Sequence, residues 1–122
     1  MKILIIDDEP DIRLIVRLSL QKRGLTVVEA SGGHEGVTLA RNERPDAILL
    51  DVMMPNVDGP TTLAALRAAP ESASIPVVFL TAKAQRSELE RLRSLGAAGV
   101  LTKPFDPMAL AGEVLAILGQ AS

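Results

Sequence analysis

Short stretches of hydrophobic residues recur along the chain, and each is followed by a polar residue. They cover residues 3–6, 25–30, 47–50, 76–80 and 99–101. Apolar stretches this short, bounded by turn-forming residues, are typical of strands buried in a parallel sheet. The stretch at 25–30 is less apolar, and its β-branched residues indicate a strand. The pattern therefore predicts five strands.

Residues with helical spacing fill the segments between these strands. Proline is favoured in the first turn of a helix, and glycine is favoured just after its end. These signals predict helices over 10–23 and 87–95, one ending near Glu43, one capped by Asp58, and a last one capped by Asp106 with Pro107 as its first residue.

Two leucine patterns in the predicted helices have different meanings. Leu89, Leu92 and Leu95 have the spacing of buried positions. Leu14 and Leu18 instead fall outside the apolar face of their helix. They either pack on a neighbouring segment or form an exposed surface for a partner.

The alternation of strands and helices predicts the fold class. Repeated right-handed βαβ units give a parallel sheet with helices on both faces, so we expect an α/β protein of the doubly wound type. The sequence shows no repeat, linker or low-complexity stretch. We expect residues 1–122 to form a single domain without an attached output domain.

The composition excludes several classes of protein. Thirteen basic and fifteen acidic residues give a net charge of −2, which does not favour a nucleic-acid or membrane partner. There is no cysteine, and therefore no disulfide and no zinc site of the usual kind. The apolar stretches are far shorter than the ~20 residues of a membrane span. The first ten residues do not resemble a signal peptide, so we expect a cytoplasmic domain.

Polar residues that can carry chemistry follow four of the five predicted strands. Asp7 and Asp8 follow the first, Asp51 the third, Thr81 the fourth, and Lys103 comes shortly after the fifth. The carboxyl ends of parallel strands meet at one edge of a doubly wound sheet, where ligands bind. We therefore expect three carboxylates, one hydroxyl and one ammonium group to converge.

Three carboxylates at close range raise one another's pKa unless a cation is present. Mg²⁺ prefers carboxylate oxygens, water and phosphate oxygens as ligands, and Mn²⁺ is a possible substitute. Lys103 and Thr81 can neutralise and bind a phosphoryl group. These groups suit phosphoryl transfer, and Asp51 is the best candidate for the nucleophile because Asp7 and Asp8 are better placed as a metal pair.

Each of these residues also has a simpler explanation when it is taken alone. Asp7 and Asp8 would interact favourably with the positive end of the following helix. Thr81 would be a loop hydroxyl or a cap, and Lys103 a solvated charge. The occurrence of all of them at strand ends favours a shared site.

Four segments, LIIDDEP, LLDVMMPNVDG, FLTAK and LTKPF, occur in this order over nearly the whole chain. With them the sequence resembles the CheY-like receiver domain of two-component response regulators. The resemblance implies a flavodoxin-like fold with strand order 2-1-3-4-5. It also implies that Asp51 accepts a phosphoryl group from a phosphohistidine on a sensor histidine kinase or a histidine phosphotransfer protein.

The resemblance further implies roles for individual residues. In the family the residue matching Asp8 binds Mg²⁺ directly and the residue matching Asp7 acts through water. The backbone carbonyl at Met53 completes the metal site together with Asp51. Such a domain catalyses only its own phosphorylation and dephosphorylation, and the resemblance names no downstream target.

The phosphoryl group is contacted in the family by the residues matching Thr81 and Lys103. The bond between Lys103 and Pro104 is typically cis in the family, against about 5–6% of X-Pro bonds generally. Met53 and Lys83 occupy the two variable positions that tune how water reaches the acyl phosphate.

One position departs from the family pattern. Receivers usually carry Tyr or Phe three residues before the lysine, where the ring moves on phosphorylation, and here this switch position is Val100. We therefore expect a small conformational change or a domain that mainly relays phosphate.

Three alternative functions agree less well with the sequence. A receiver-like interaction module would not use phosphorylation, which the complete set of site residues argues against. A phosphohydrolase of the haloacid-dehalogenase type would have a second Asp two residues after Asp7, where Glu9 stands. A flavodoxin would need a hydroxyl-rich first loop and aromatic residues. The expected assembly is a monomer or a weak dimer.

Overall fold

The computed structural model describes residues 1–121 and contains one parallel sheet of five strands. The order β2-β1-β3-β4-β5 confirms the predicted flavodoxin-like topology. The strands are β1 (Lys2–Ile6), β2 (Thr26–Ala30), β3 (Ala47–Asp51), β4 (Val77–Thr81) and β5 (Gly99–Thr102), and the helices are α1 (Pro10–Lys22), α2 (Gly33–Glu43), α3 (Gly59–Ala68), α4 (Arg86–Ser94) and α5 (Leu110–Ala121).

Helices cover both faces of the sheet, and this explains why its central strands are apolar. Every residue of β3 and β4 is buried. Side chains alternate between two hydrophobic clusters, as the two-residue period of a strand requires. Leu4 and Phe79 belong to the cluster that includes residues of α2, α3 and α4. Ile5 and Val78 belong to the cluster that includes residues of α1 and α5.

The predicted helix signals act as expected in the first four helices, with one exception at a helix end. Pro10 begins α1, and the side chain of Asp58 accepts a hydrogen bond from the Thr61 N–H at the start of α3, 2.8 Å away. Gly24 ends the first helical segment with a φ of +81°. The prediction that Leu95 is buried was wrong, because Leu95 lies just past α4 and is 43% exposed.

The predicted start of the last helix was also wrong by three residues. Residues 107–109 form a turn, and α5 begins at Leu110. The Asp106 carbonyl accepts hydrogen bonds from the N–H groups of Ala109 and Leu110. The Asp106 side chain accepts a further hydrogen bond from the Met108 N–H at 2.9 Å. Asp106 therefore starts a turn that leads into the helix.

Among the helices of residues 1–121, none combines the length and apolar character needed to cross a membrane.

Candidate functional site

Backbone hydrogen bonds continue the sheet past the strand ends and fix the loops that carry the predicted site residues. The Asp7 N–H donates to the Ala30 carbonyl at 3.1 Å. The Val52 N–H donates to Leu80 at 3.0 Å, and the Lys103 N–H donates to Thr81 at 2.7 Å. The residues after β1, β3, β4 and β5 are therefore held at the same edge of the sheet.

Lys103 joins the two buried aspartates of this edge. Its Nζ lies 3.0 Å from Oδ2 of Asp7 and 3.2 Å from Oδ1 of Asp51. A third carboxylate, on Glu9, lies 3.6 Å away. The side chains of Asp7 and Asp51 are 0% and 4% exposed, whereas the side chain of Glu9 is 59% exposed. One partly buried cation is thus shared by two buried anions and one exposed anion.

Four acidic side chains are close enough to share one cation. Asp7, Asp8, Glu9 and Asp51 each offer a carboxylate oxygen, and these oxygens lie within 4.8 Å of one another. The sequence prediction included the three aspartates but not Glu9, although its position directly after the acidic pair was a signal. Oxygen-rich clusters of this kind suit a hard divalent cation.

Asp51 carries a buried oxygen with no hydrogen-bond partner among the described residues. The unpaired atom is Oδ2, whereas Oδ1 is close to Lys103 and accepts a hydrogen bond from the Met53 N–H at 3.4 Å. An unpaired buried oxygen costs free energy and is expected to have a ligand. This atom and the acidic cluster around it fit a metal ion, a phosphoryl group or both.

Burial and like charge perturb the ionisation of the site. Burial, reinforced by the negative charge of Asp7, raises the pKa of Asp51 to about 6. Burial also raises the pKa of Asp7, although its hydrogen bonds oppose the shift. For Lys103 burial alone would lower the pKa, but the two aspartates outweigh it and the pKa is raised. Lys103 therefore stays protonated at neutral pH.

Thr81 ends β4 and is almost completely buried. Its Oγ1 accepts a hydrogen bond from the Lys83 N–H at 3.0 Å, which leaves the hydroxyl proton free for another acceptor. The side chains of Lys83 and Met53 are both exposed at the rim. The hydroxyl is thus oriented by the loop that follows the strand.

The two remaining predicted positions lie on or next to β5. The Lys103–Pro104 peptide bond is cis. Val100 is partly buried and packs against the cluster that contains Phe79 and Leu92. Val100 therefore belongs to the hydrophobic core and is not in the acidic cluster.

The fold and this edge of the sheet can be compared with known proteins. Residues 3–115 match the response regulator receiver domain family. The chain belongs to this family. A receiver of known structure, chemotaxis protein CheY4 of Vibrio cholerae, is 32% identical and superposes with a TM-score of 0.88 over 95% of this chain and 97% of that one.

Curated relatives differ in how much of their length matches this receiver domain. Protein PilH of Pseudomonas aeruginosa is 37% identical, and the match covers 96% of this chain and 97% of PilH. The alkaline phosphatase synthesis transcriptional regulatory protein PhoP of Bacillus subtilis is 38% identical, and the match covers 96% of this chain but 48% of PhoP. The chain thus spans about half the length of some of the relatives it matches.

Proposed function

We propose that this receiver domain accepts a phosphoryl group on Asp51 in a two-component phosphorelay. The observation that carries the proposal is the state of the Asp51 carboxylate. It is buried, its Oδ2 has no partner among the described residues, and its Oδ1 lies 3.2 Å from a protonated lysine. An unpaired oxygen beside a fixed cation is suited to attack phosphorus, because the cation stabilises the charge on the phosphoryl oxygens.

The chemistry proposed for Asp51 is a transfer between two nucleophiles. An Asp51 oxygen forms a bond to phosphorus while the bond between phosphorus and the histidine nitrogen of the donor breaks. The electron pair stays with the imidazole, and Asp51 becomes an acyl phosphate. Lys103 would neutralise one phosphoryl oxygen, and the Thr81 hydroxyl would donate to another.

The proposed cofactor is Mg²⁺. The carboxylates of Asp7, Asp8 and Asp51 and the backbone carbonyl of Met53 would hold it. When bound, it would supply positive charge to the phosphoryl oxygens and relieve the repulsion between the carboxylates. Asp7 would then contact both the metal ion and Lys103, which supports a common role for these two positive charges.

The proposed phosphodonor is a phosphohistidine on a sensor histidine kinase or a histidine phosphotransfer protein. Such donors work in the cytoplasm, so we propose a cytoplasmic location. Catalysis is restricted to the domain's own phosphorylation and dephosphorylation. Exposed Met53 and Lys83 lie at the rim of the site, where they would affect the approach of water to the acyl phosphate.

Intact-mass spectrometry after incubation with Mg²⁺ and acetyl phosphate tests the proposal. The wild type should gain one phosphoryl group that is labile in base, and Asp51→Asn should gain none. Asp46→Asn is a matched control, because Asp46 is exposed before β3 at the opposite edge of the sheet. If the wild type is not modified, even by a phosphohistidine donor, the domain is an interaction module that does not use phosphorylation.

A further inference from the structure

An arginine outside the predicted site is hydrogen-bonded to the backbone of the loop at residues 7–9, which we call the acidic loop. Nη1 of Arg13, on α1, donates a hydrogen bond to the backbone carbonyl of Asp7 at 2.7 Å. Nε of the same guanidinium lies 3.4 Å from Oε1 of Glu29 on β2, and the Arg13 side chain is 19% exposed. The guanidinium therefore joins the edge strand β2 to the loop after β1.

The position of this carbonyl gives the contact its importance. Asp7 lies one residue past β1, and its N–H is held by the Ala30 carbonyl at the end of β2. The Asp7 carbonyl belongs to the peptide group that joins Asp7 to Asp8. A rotation about the Cα–C bond of Asp7 would turn that planar group and would move the Asp8 side chain relative to the Asp7 side chain. A charged donor at 2.7 Å restrains the rotation more strongly than a neutral one.

We propose that Arg13 is a positioning residue for the metal site, and that Glu29 orients its guanidinium. The inference rests on the proposed function, since it assumes that Asp7 and Asp8 hold a divalent cation. Arg13 would fix the peptide group between these two aspartates so that their carboxylates are spaced for the ion. Groups that orient metal ligands in this way typically change metal affinity about 10–100-fold when they are removed.

Loss of the positive charge of Arg13 and loss of its positioning role should change the metal affinity in opposite directions. A guanidinium near four carboxylates repels a cation, so loss of the charge alone would strengthen metal binding. Loss of positioning would weaken it. The sign of the change in affinity therefore separates the two roles.

Arg17 provides a matched control on the same helix. Its Nη1 lies 3.7 Å from Oε2 of Glu29, so it pairs with the same carboxylate one turn further along α1. The Arg17 side chain is 40% exposed, and its described ion pair is with Glu29 and not with the acidic loop. Arg17→Gln removes one positive charge beside Glu29 but leaves the hydrogen bond between Arg13 and the Asp7 carbonyl in place.

Mn²⁺ binding, followed by electron paramagnetic resonance of the free ion, measures affinity without relying on phosphorylation. Arg13→Gln should bind Mn²⁺ about 10–100-fold more weakly than the wild type, and Arg17→Gln should bind with nearly unchanged affinity. Arg13→Lys should rescue part of the loss, because an ammonium can donate to the carbonyl but lacks the fork that also reaches Glu29. Circular dichroism would show that each variant is folded.

A second variant covers the case in which Arg13→Gln does not fold. Glu29→Gln keeps the guanidinium but removes the charge that orients it, and it should also weaken Mn²⁺ binding, by less than Arg13→Gln. Phosphorylation of the Arg13 variants by acetyl phosphate should recover when Mg²⁺ is raised to saturation.

The outcomes separate this inference from the proposed function. Asp8→Asn should abolish Mn²⁺ binding, and a wild type that binds no Mn²⁺ would overturn the metal site and this inference together. A wild type that binds, with Arg13→Gln and Glu29→Gln binding equally well or more tightly, overturns the positioning role alone. Equal losses in Arg13→Gln and Arg17→Gln would also overturn it.

Discussion

Lys103 and Asp7 are 96 positions apart in the sequence, yet Nζ of Lys103 donates a hydrogen bond to Oδ2 of Asp7 at 3.0 Å. The contact spans the sheet from the loop after β5 to the loop after β1 and lies beside Asp51. It neutralises part of the charge of two buried carboxylates. The negative charge that remains on these carboxylates is expected to make the stability of the protein depend on pH, on a bound cation and on substitution of the site residues.

The first prediction concerns stability and pH in the absence of metal. The folded-state pKa of Asp51 is about 6, against an ordinary value of 3.8. The stabilising effect of protonation is complete below about pH 4 and is lost as the pH rises through about 6. Asp51→Asn removes the ionisable group, so at pH 7.5 in EDTA it should be more stable than the wild type by about 1–3 kcal/mol.

Urea denaturation followed by circular dichroism between pH 4 and pH 8 would measure this difference. The advantage of Asp51→Asn should shrink towards pH 4, where the carboxyl of the folded wild type is protonated and carries no buried charge. Glu90→Gln controls for the loss of an exposed carboxylate, because Glu90 is exposed on α4. A difference that does not vary with pH would contradict the raised pKa.

A second prediction concerns Gly59, the first residue of α3. A Cβ atom at this position would lie 2.5 Å from the backbone oxygen of Asp51 and 2.8 Å from Cα of Val52. Backbone atoms cannot move aside by changing rotamer as a side chain can. Gly59→Ala should therefore displace Asp51 and destabilise the protein by about 1–3 kcal/mol. Its phosphorylation by acetyl phosphate should slow about tenfold or more.

Gly32→Ala is the matched control for Gly59→Ala. A Cβ atom at Gly32 meets nothing within 4 Å, and its backbone is extended. Initial rates from intact-mass spectra and unfolding curves should change little in this variant. Equal rates in the two alanine variants would contradict a role for Gly59 in positioning Asp51.

A third prediction concerns the exposed leucines of α1. Leu14 and Leu18 are 43% and 56% exposed, so the structure supports the surface interpretation over burial against a neighbour. They lie one turn apart on the helix that begins just after the acidic loop. Replacing both with serine should slow transfer from a phosphohistidine protein about tenfold, through lost apolar contact, and leave transfer from acetyl phosphate unchanged.

The donor for this experiment is the histidine phosphotransfer protein that phosphorylates the wild type fastest in a panel. Leu95→Ser is the control, because Leu95 is also 43% exposed but lies at the end of α4. If the double variant retains both rates, the leucines are not part of the docking surface.

A fourth prediction concerns the switch position. Val100 pairs with Phe79 across the sheet and packs into the core. Its short branched side chain has restricted rotamers and no ring that could swing outward. Crystal structures with and without beryllofluoride should therefore show α4 and Thr81 displaced by less than the about 1–2 Å of a typical helix shift. A larger displacement would show that the domain signals without an aromatic switch.

The sequence by itself determined the fold class and most of the site. Short apolar strands followed by Asp7, Asp51 and Thr81 are local signals, and parallel topology alone brings strand ends to one edge. The order of the strands and the family followed from motifs that are continuous in the chain. These features depend on periodicity and on the positions of a few residues, which can be read without knowing any long-range contact.

Only the tertiary structure decided which side chains meet and which are buried. Leu95 has the spacing of a core residue but is exposed, because α4 ends one residue earlier. The hydrogen-bonded turn at 107–109 delays α5 to Leu110. Glu9 and Arg13 reach the site through the directions of their side chains, which depend on neighbouring loops and not on sequence spacing.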